Sequence, residues 1–389
     1  MQNTLEEGNG DGHADDIFGT ATYEAPEREK KTFQPWHRPR KQFVRHHQWC
    51  TQVNLLLDDI QPDGNTLRYL GLPGNDLLDL RHFHTHVCEP RKIRLRFLGF
   101  NSSANPRSES QTDINVSLDE VKKLSAIDPL SKVIWDDFCL IADENSKAWN
   151  ETKDSGPYDI INLDLCDGFG AHEPGTLNNT HYNAVNRLMS LQAKNKRPWL
   201  FFLTTRSDNK NVNPDLLQKL LGKYAQNLAD CAPFKEASAE IFSIGDESEL
   251  KKAIDTPDGH LAVFLVGICK WVLGIAVQHP PSKVEVKSVI GYRVDAKAMH
   301  DDLISLALRF EPIFAPAADP LGLANTPAAL PNECDLSAKA VKRLGKRKCA
   351  DEILAADANL LNEMVTSTAS LLALARYDVE AYYEWLKTN

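Results

Sequence analysis

The sequence predicts an α/β protein: a three-layer sandwich around a mostly parallel seven-stranded sheet, ending in an antiparallel hairpin and carrying helical extensions. Three observations predict it. Short apolar runs alternate with amphipathic helical stretches from residue 66 onward. Two of those runs, "DIINL" and "WLFFL", are almost unbroken, as strands covered on both faces are. Two longer runs near residue 300 are joined by a short polar segment and read as an antiparallel pair.

Composition narrows the class. An apolar fraction of 42% in 389 residues is enough for a real core, so a disordered chain is excluded. A net charge of −10 argues against a protein that coats nucleic acid over its whole surface. The start, "MQNTLEEGNGDGHADD", has neither a basic region nor an apolar run, so no secretory signal is expected. Eight cysteines without a CxxC pair predict reduced thiols and a cytoplasmic location. "LAVFLVGICKWVLGIAV", 261 to 277, is the longest apolar stretch. It contains Lys270 and is short for a bilayer span of about 20 residues, so a buried helix is expected and no membrane partner.

Residues 1–31 are acidic and poor in aliphatics and are expected to be disordered. Residues 32–62 form a basic segment with a helix from Pro39 to about Ile60. Within 28–49 the cations Arg38, Arg40, Lys41 and Arg45 alternate with Trp36, Phe43 and Trp49, a mixture that can grip phosphates and stack bases. A solvated helix face has the same composition. The sheet domain spans 63–313, with strands at 66–72, 92–101, 131–141, 158–166, 198–205, 283–295 and 302–313. Between them, Asn75 or Asp76 is a suitable helix N-cap and Glu89-Pro90 a stop. Ser117 with Glu120 reads as a capping box. Asn213-Pro214 opens a helix that turns Leu217, Leu220, Leu221, Tyr224 and Leu228 inward. Residues 314–334 form a Pro/Ala-rich linker. Residues 335–389 are helical, and their helices are too few for an independent core, so they are expected to dock on the main domain or on a protein partner.

"DLRHFHTHVC", 79 to 88, places three histidines and a cysteine at alternate positions. In a strand all four would share one face. The spacing of Leu77, Leu80, Phe83 and Val87 predicts a helix instead, and there only His82 and His86 are neighbours. A metal would need a third, distant ligand that the sequence does not reveal, so no metal site is assigned.

In an open α/β sheet the ligand lies beyond the C-terminal strand ends, where strand order reverses. That picks out "GLPGND", "GFN", "DDF", "DLCDGFG" and "TTRSD". With the terminal hairpin, this order of elements resembles the class I S-adenosylmethionine-dependent methyltransferases over about residues 66–313. The resemblance implies S-adenosylmethionine as cofactor. It places Gly71, Leu72, Pro73 and Gly74 at the methionine part, Asn101 at the ribose, and Asp136, Asp137 and Phe138 beside the adenine. Asp164, Cys166 and Asp167 fall at the catalytic loop. Asp164 would orient an amine or act as a base, and Cys166 would need a nearby base or cation to be a nucleophile. Pro73 stands where that family has a middle glycine, and Asn101 where it has an acid. Two functions follow: methyl transfer, acting on or near nucleic acid, or a binding module that keeps the fold without catalysis and serves as a nucleic-acid or protein adaptor.

Overall fold

Every strand expected from the apolar runs forms, and one more joins them. The computed structural model describes residues 31–102, 109–165, 168–171, 180–278, 281–294, 300–314, 321 and 330–388. The strands are β1 Thr66–Gly71, β2 Arg94–Phe100, β3 Lys132–Ile134, β4 Ile160–Asp164, β5 Trp199–Arg206, β6 Ser282–Tyr292, β7 Leu303–Pro312 and β8 Lys348–Cys349. They make one mixed sheet in the order β3-β2-β1-β4-β5-β7-β6-β8. β1 to β5 run parallel, and β7 pairs antiparallel with both β5 and β6. The unexpected β8 is a two-residue parallel edge strand, too short to show a period in the sequence.

Helices cover both faces. On one lie α1 (Pro39–Val44, a wider π turn at Arg45–Cys50, then Thr51–Asp59), α2 (Leu78–Phe83, a second π turn at His84–Cys88, then Glu89–Arg91) and α3 (Glu109–Lys122). On the other lie α4 (Lys147–Ser155), α5 (His181–Gln192), α6 (Pro214–Asp230), α7 (Ala232–Phe242), α8 (Glu247–Ala253) and α9 (Pro257–Ala276). Strand side chains alternate between the two layers: Leu67, Tyr69, Phe97 and Phe202 meet α1 and α2, while Leu70, Leu98, Phe201 and Leu203 meet the other set. The tail adds α10 (Glu333–Leu344), α11 (Ala350–Ala356), α12 (Ala358–Leu374) and α13 (Val379–Thr388). These dock on the sheet domain: α10 joins the α6–α9 layer, and α11 and α12 join the α1 layer.

The apolar α9 is a core helix, with Val263, Phe264, Val266 and Ile268 buried. Its Lys270 is satisfied by Asn227 and by Glu333 at 3.1 Å.

Four local expectations need correction. The third strand stops at Ile134, because Asp137 accepts from Cys139 N at 2.8 Å and winds Phe138–Ala142 into a 3-10 turn. α2 is entered through Leu77 in the left-handed region (φ 52°), not capped by Asn75 or Asp76, and it runs past Pro90 to Arg91. Ser117 and Glu120 lie inside α3, where Glu120 pairs with Arg81 and Arg376, so they cap nothing. Cys231 and Cys334 are disulfide-bonded, tying the α6–α7 junction to the start of α10. Their separation of 103 residues left no spacing to read. Cys50, Cys88, Cys139, Cys269 and Cys349 are free. Residues 1–30 of the expected tail 1–31 and most of the linker 314–334 lie outside the described residues.

Candidate functional site

The chain leaves β1 toward one face and β4 toward the other, so the reversal of strand order falls between these two neighbours. Gly71 pairs across with Asn162, two residues before Asp164. The glycine bend and the acidic corner therefore stand on one rim, side by side.

What fills that rim comes from α1. Lys41 is 3% exposed, and its ammonium lies 2.6 Å from Asp164 Oδ1. It also donates to the Tyr292 hydroxyl at 3.2 Å and sits over the Trp49 ring, 4.7 Å from its centroid. Burial alone would lower the Lys41 pKa. Asp164, then Tyr292 and Asp79, outweigh it and hold it above the ordinary 10.5. Burial raises Tyr292 to about 12, so its hydroxyl stays protonated. One turn along, Arg45 Nε bonds Asp79 Oδ1 at 2.6 Å, and both residues are buried. A bare buried cation is costly, and each of these has a carboxylate in contact.

The remaining expected site residues are held by their neighbours. Asn101 Nδ2 donates to Pro73 O at 2.9 Å and to Asn75 Oδ1 at 3.2 Å, locking the turn after β1. Leu72 packs into the core. A Cβ on Gly71 would come within 2.6 Å of the Tyr69 ring, so the missing side chain makes room for tyrosine. Pro73 rests on Gly99, where a Cβ would meet its Cγ at 2.8 Å. Gly74 alone of these faces open space. Asp136 accepts from Asp137 N at 3.0 Å, and Phe138 is buried with its ring 6.2 Å from Phe100. Cys166 and Asp167 lie outside the described residues. The groups that would meet a ribose or an ammonium, Asn101 and Asp164, already have partners. The described residues do not fit S-adenosylmethionine in the way the resemblance implies.

Of the four cations expected to face phosphates, two are buried and two are half-buried against side-chain partners. Lys41 and Arg45 are buried in ion pairs. Arg40 pairs with Asp351 at 3.0 Å and with the Arg293 carbonyl, and Arg38 stacks over Trp385. Lys41 and Arg45 thus lie on the inner face of α1, while Arg38 and Arg40 are half-buried.

The chain belongs to the PP_RS20740-like family. The model of that family matches residues 30–387, almost all of the chain after its acidic start. The family's description names no activity. No curated protein matches the chain.

Reading the sequence alone missed a second polar cluster in this family member. The π turn of α1 carries His46 to His82 and His86, and one ligand nitrogen from each ring lies within 4.8 Å of the others. The clue was "RHHQW", an isolated histidine pair whose helix had no assigned neighbour. Only the packing of α1 on α2 joins the two motifs.

Proposed function

We propose that this chain is a binding module on a methyltransferase-type fold, without methyl transfer, whose partner is a protein. The order β3-β2-β1-β4-β5 with an antiparallel β7–β6 edge supports the methyltransferase-type architecture. The observation that carries the non-catalytic reading is the Lys41–Asp164 contact of 2.6 Å. It neutralises the one described carboxylate that the resemblance makes catalytic, and a core helix supplies it. The basic segment, with its cations buried or half-buried, and the net charge of −10 favour a protein partner over nucleic acid. Trp36, Leu374 and Tyr383 leave apolar surface exposed on the N-terminal segment and the C-terminal helices.

A second reading, transfer from S-adenosylmethionine, is favoured by one fact: Gly74 is open and shares its rim with Asp164. Calorimetry of S-adenosylmethionine and S-adenosylhomocysteine against the full chain separates the two. Our reading expects no saturable heat at millimolar ligand. Saturable binding that Gly74→Val removes would replace it with the enzyme. Gel shifts with DNA and RNA are expected to show no retardation at micromolar protein.

A further inference from the structure

We propose that His46, His82 and His86 form a binding site for one divalent transition cation of the zinc class, clipping α1 to α2. The three rings come from two helices and converge. Their centroids are 4.2 Å apart for His82–His86, 5.1 Å for His46–His86 and 5.7 Å for His46–His82. The ligand atoms lie within 4.8 Å of one another. Imidazoles around zinc, with bonds of about 2.0–2.1 Å, need nitrogens about 3.4 Å apart, so modest side-chain rotation closes the site.

Three further observations point to a ligand and not to packing alone. First, His82 Nε2 and His46 Nδ1 are buried with no hydrogen-bond partner among the described residues. Buried polar nitrogens are normally satisfied, and an ion satisfies both at once. Second, His82 is held from behind: the Gln42 side-chain amide contacts its Nδ1 at 3.2 Å and bonds Ser367 Oγ at 2.9 Å. The amide nitrogen faces Nδ1, and Gln42 Oε1 is buried without a partner among the described residues. A flip of the amide exchanges the two atoms, so that Gln42 Oε1 accepts Nδ1–H and the Nε2 lone pair is left for the cation, as outer-shell partners of zinc histidines arrange. Third, His46 and His86 each sit in a π turn, Arg45–Cys50 and His84–Cys88. Such wider turns re-aim side chains and recur at functional sites.

The donor set defines the ion. Three imidazoles without a carboxylate suit zinc, cobalt, nickel or copper and do not suit magnesium or calcium. Three protein ligands leave a fourth position for water or another small ligand. Arg45, a cation whose charge acts on His82, is neutralised by Asp79 at 2.6 Å, so it does not repel the incoming charge at full strength. The other described cluster of this kind, Asp301 with Cys349 and Asp351, is different. Its carboxylates already pair with Arg347 and Arg40.

The test uses the full-length protein stripped with a chelator and titrated with zinc chloride by calorimetry, and with cobalt chloride by visible absorption. One equivalent of zinc is expected to bind, with intense cobalt bands of tetrahedral type. His46→Gln and His86→Gln are expected to weaken zinc by more than the ~10–100-fold that loss of an outer partner costs, and Gln42→Leu by about that amount. His47→Gln, the neighbouring histidine outside the trio, is expected to bind like wild type. Circular dichroism checks that each variant is folded. No heat from zinc, or full affinity in folded His46→Gln and His86→Gln, overturns the proposal.

Discussion

Helix α1 delivers two polar clusters to the same layer of the molecule, and they differ in one respect. At Lys41 each charge has a counter-charge in contact, ammonium to Asp164 and guanidinium of Arg45 to Asp79, and the one orphaned atom among the described residues there, Arg45 Nη1, is a donor without a lone pair. At His46 and His82 buried nitrogens have no partner among the described residues. A cluster saturated in this sense, its charges met internally and its orphan only a donor, offers no lone pair to a cation, and it fixes the helix on the sheet. An unsaturated one keeps lone pairs that only an outside group can use. The contrast is the ground for proposing a ligand at the histidines and not at the Asp164 corner.

The largest expected effect tests the saturated half. Lys41→Met leaves Asp164 without its partner and should cost about 3–5 kcal/mol in urea unfolding. Lys41→Met with Asp164→Leu should regain most of that, because an apolar pair carries no charge to desolvate. The sign with pH follows from the raised lysine. Its stabilisation is complete below the unfolded value of 10.5 and is lost only as pH rises through the higher folded value. A wild-type-like midpoint for Lys41→Met would mean that the pair does not hold the helix, and the corner would again be free for chemistry. The unsaturated half predicts a different signature. Zinc at a hundred times its Kd should add about 2.7 kcal/mol to wild type and nothing to His86→Gln. Equal stabilisation of both would dissolve the contrast.

The fold was legible because it rests on local pattern. Apolar runs such as 159–163 and 199–203 have no other use than a buried strand, and Asn213-Pro214 marks its helix by side-chain capping, with Asn213 Oδ1 accepting from Asp215 N at 2.8 Å. The site was legible only as a place. The ends of β1, β2, β4 and β5 were named correctly and that of β3 was not, but what stands on the β1 and β4 ends was decided by α1, whose packing partner no local rule supplies. The basic run at 38–45 read as an outer surface because cations are rarely buried. Its Lys41 and Arg45 are inner because Asp79 and Asp164 wait on other elements to receive them. His46 and His82 are likewise 36 positions apart and meet only after two helices pack.

A smaller effect probes the glycine bend. Gly71→Ala should cost about 1–3 kcal/mol, since its methyl meets the Tyr69 ring at 2.6 Å. If the glycine serves that ring, Gly71→Ala combined with Tyr69→Val loses less than the sum of the two single changes. Strict additivity would detach the glycine from packing and return it to a ligand.

The smallest effect concerns a buried imidazole that stands alone. His260, at the start of α9, is buried, and its Nε2 has no partner among the described residues. It thus shares the orphaned nitrogen of His82 without belonging to the trio. Burial lowers its pKa, with Asp208 and the Ser207 backbone pulling the other way. The folded protein therefore refuses a proton that the unfolded chain accepts near 6.5. Stability from this group is intact above that value and declines as pH falls below it, by at most about 1.4 kcal/mol per pH unit. His260→Leu should flatten that part of the urea midpoint's pH dependence and leave zinc affinity untouched. An unpaired nitrogen by itself only makes acid costly; three imidazoles facing one point are what make a site. Loss of zinc binding in folded His260→Leu would show that the trio is not where the metal sits.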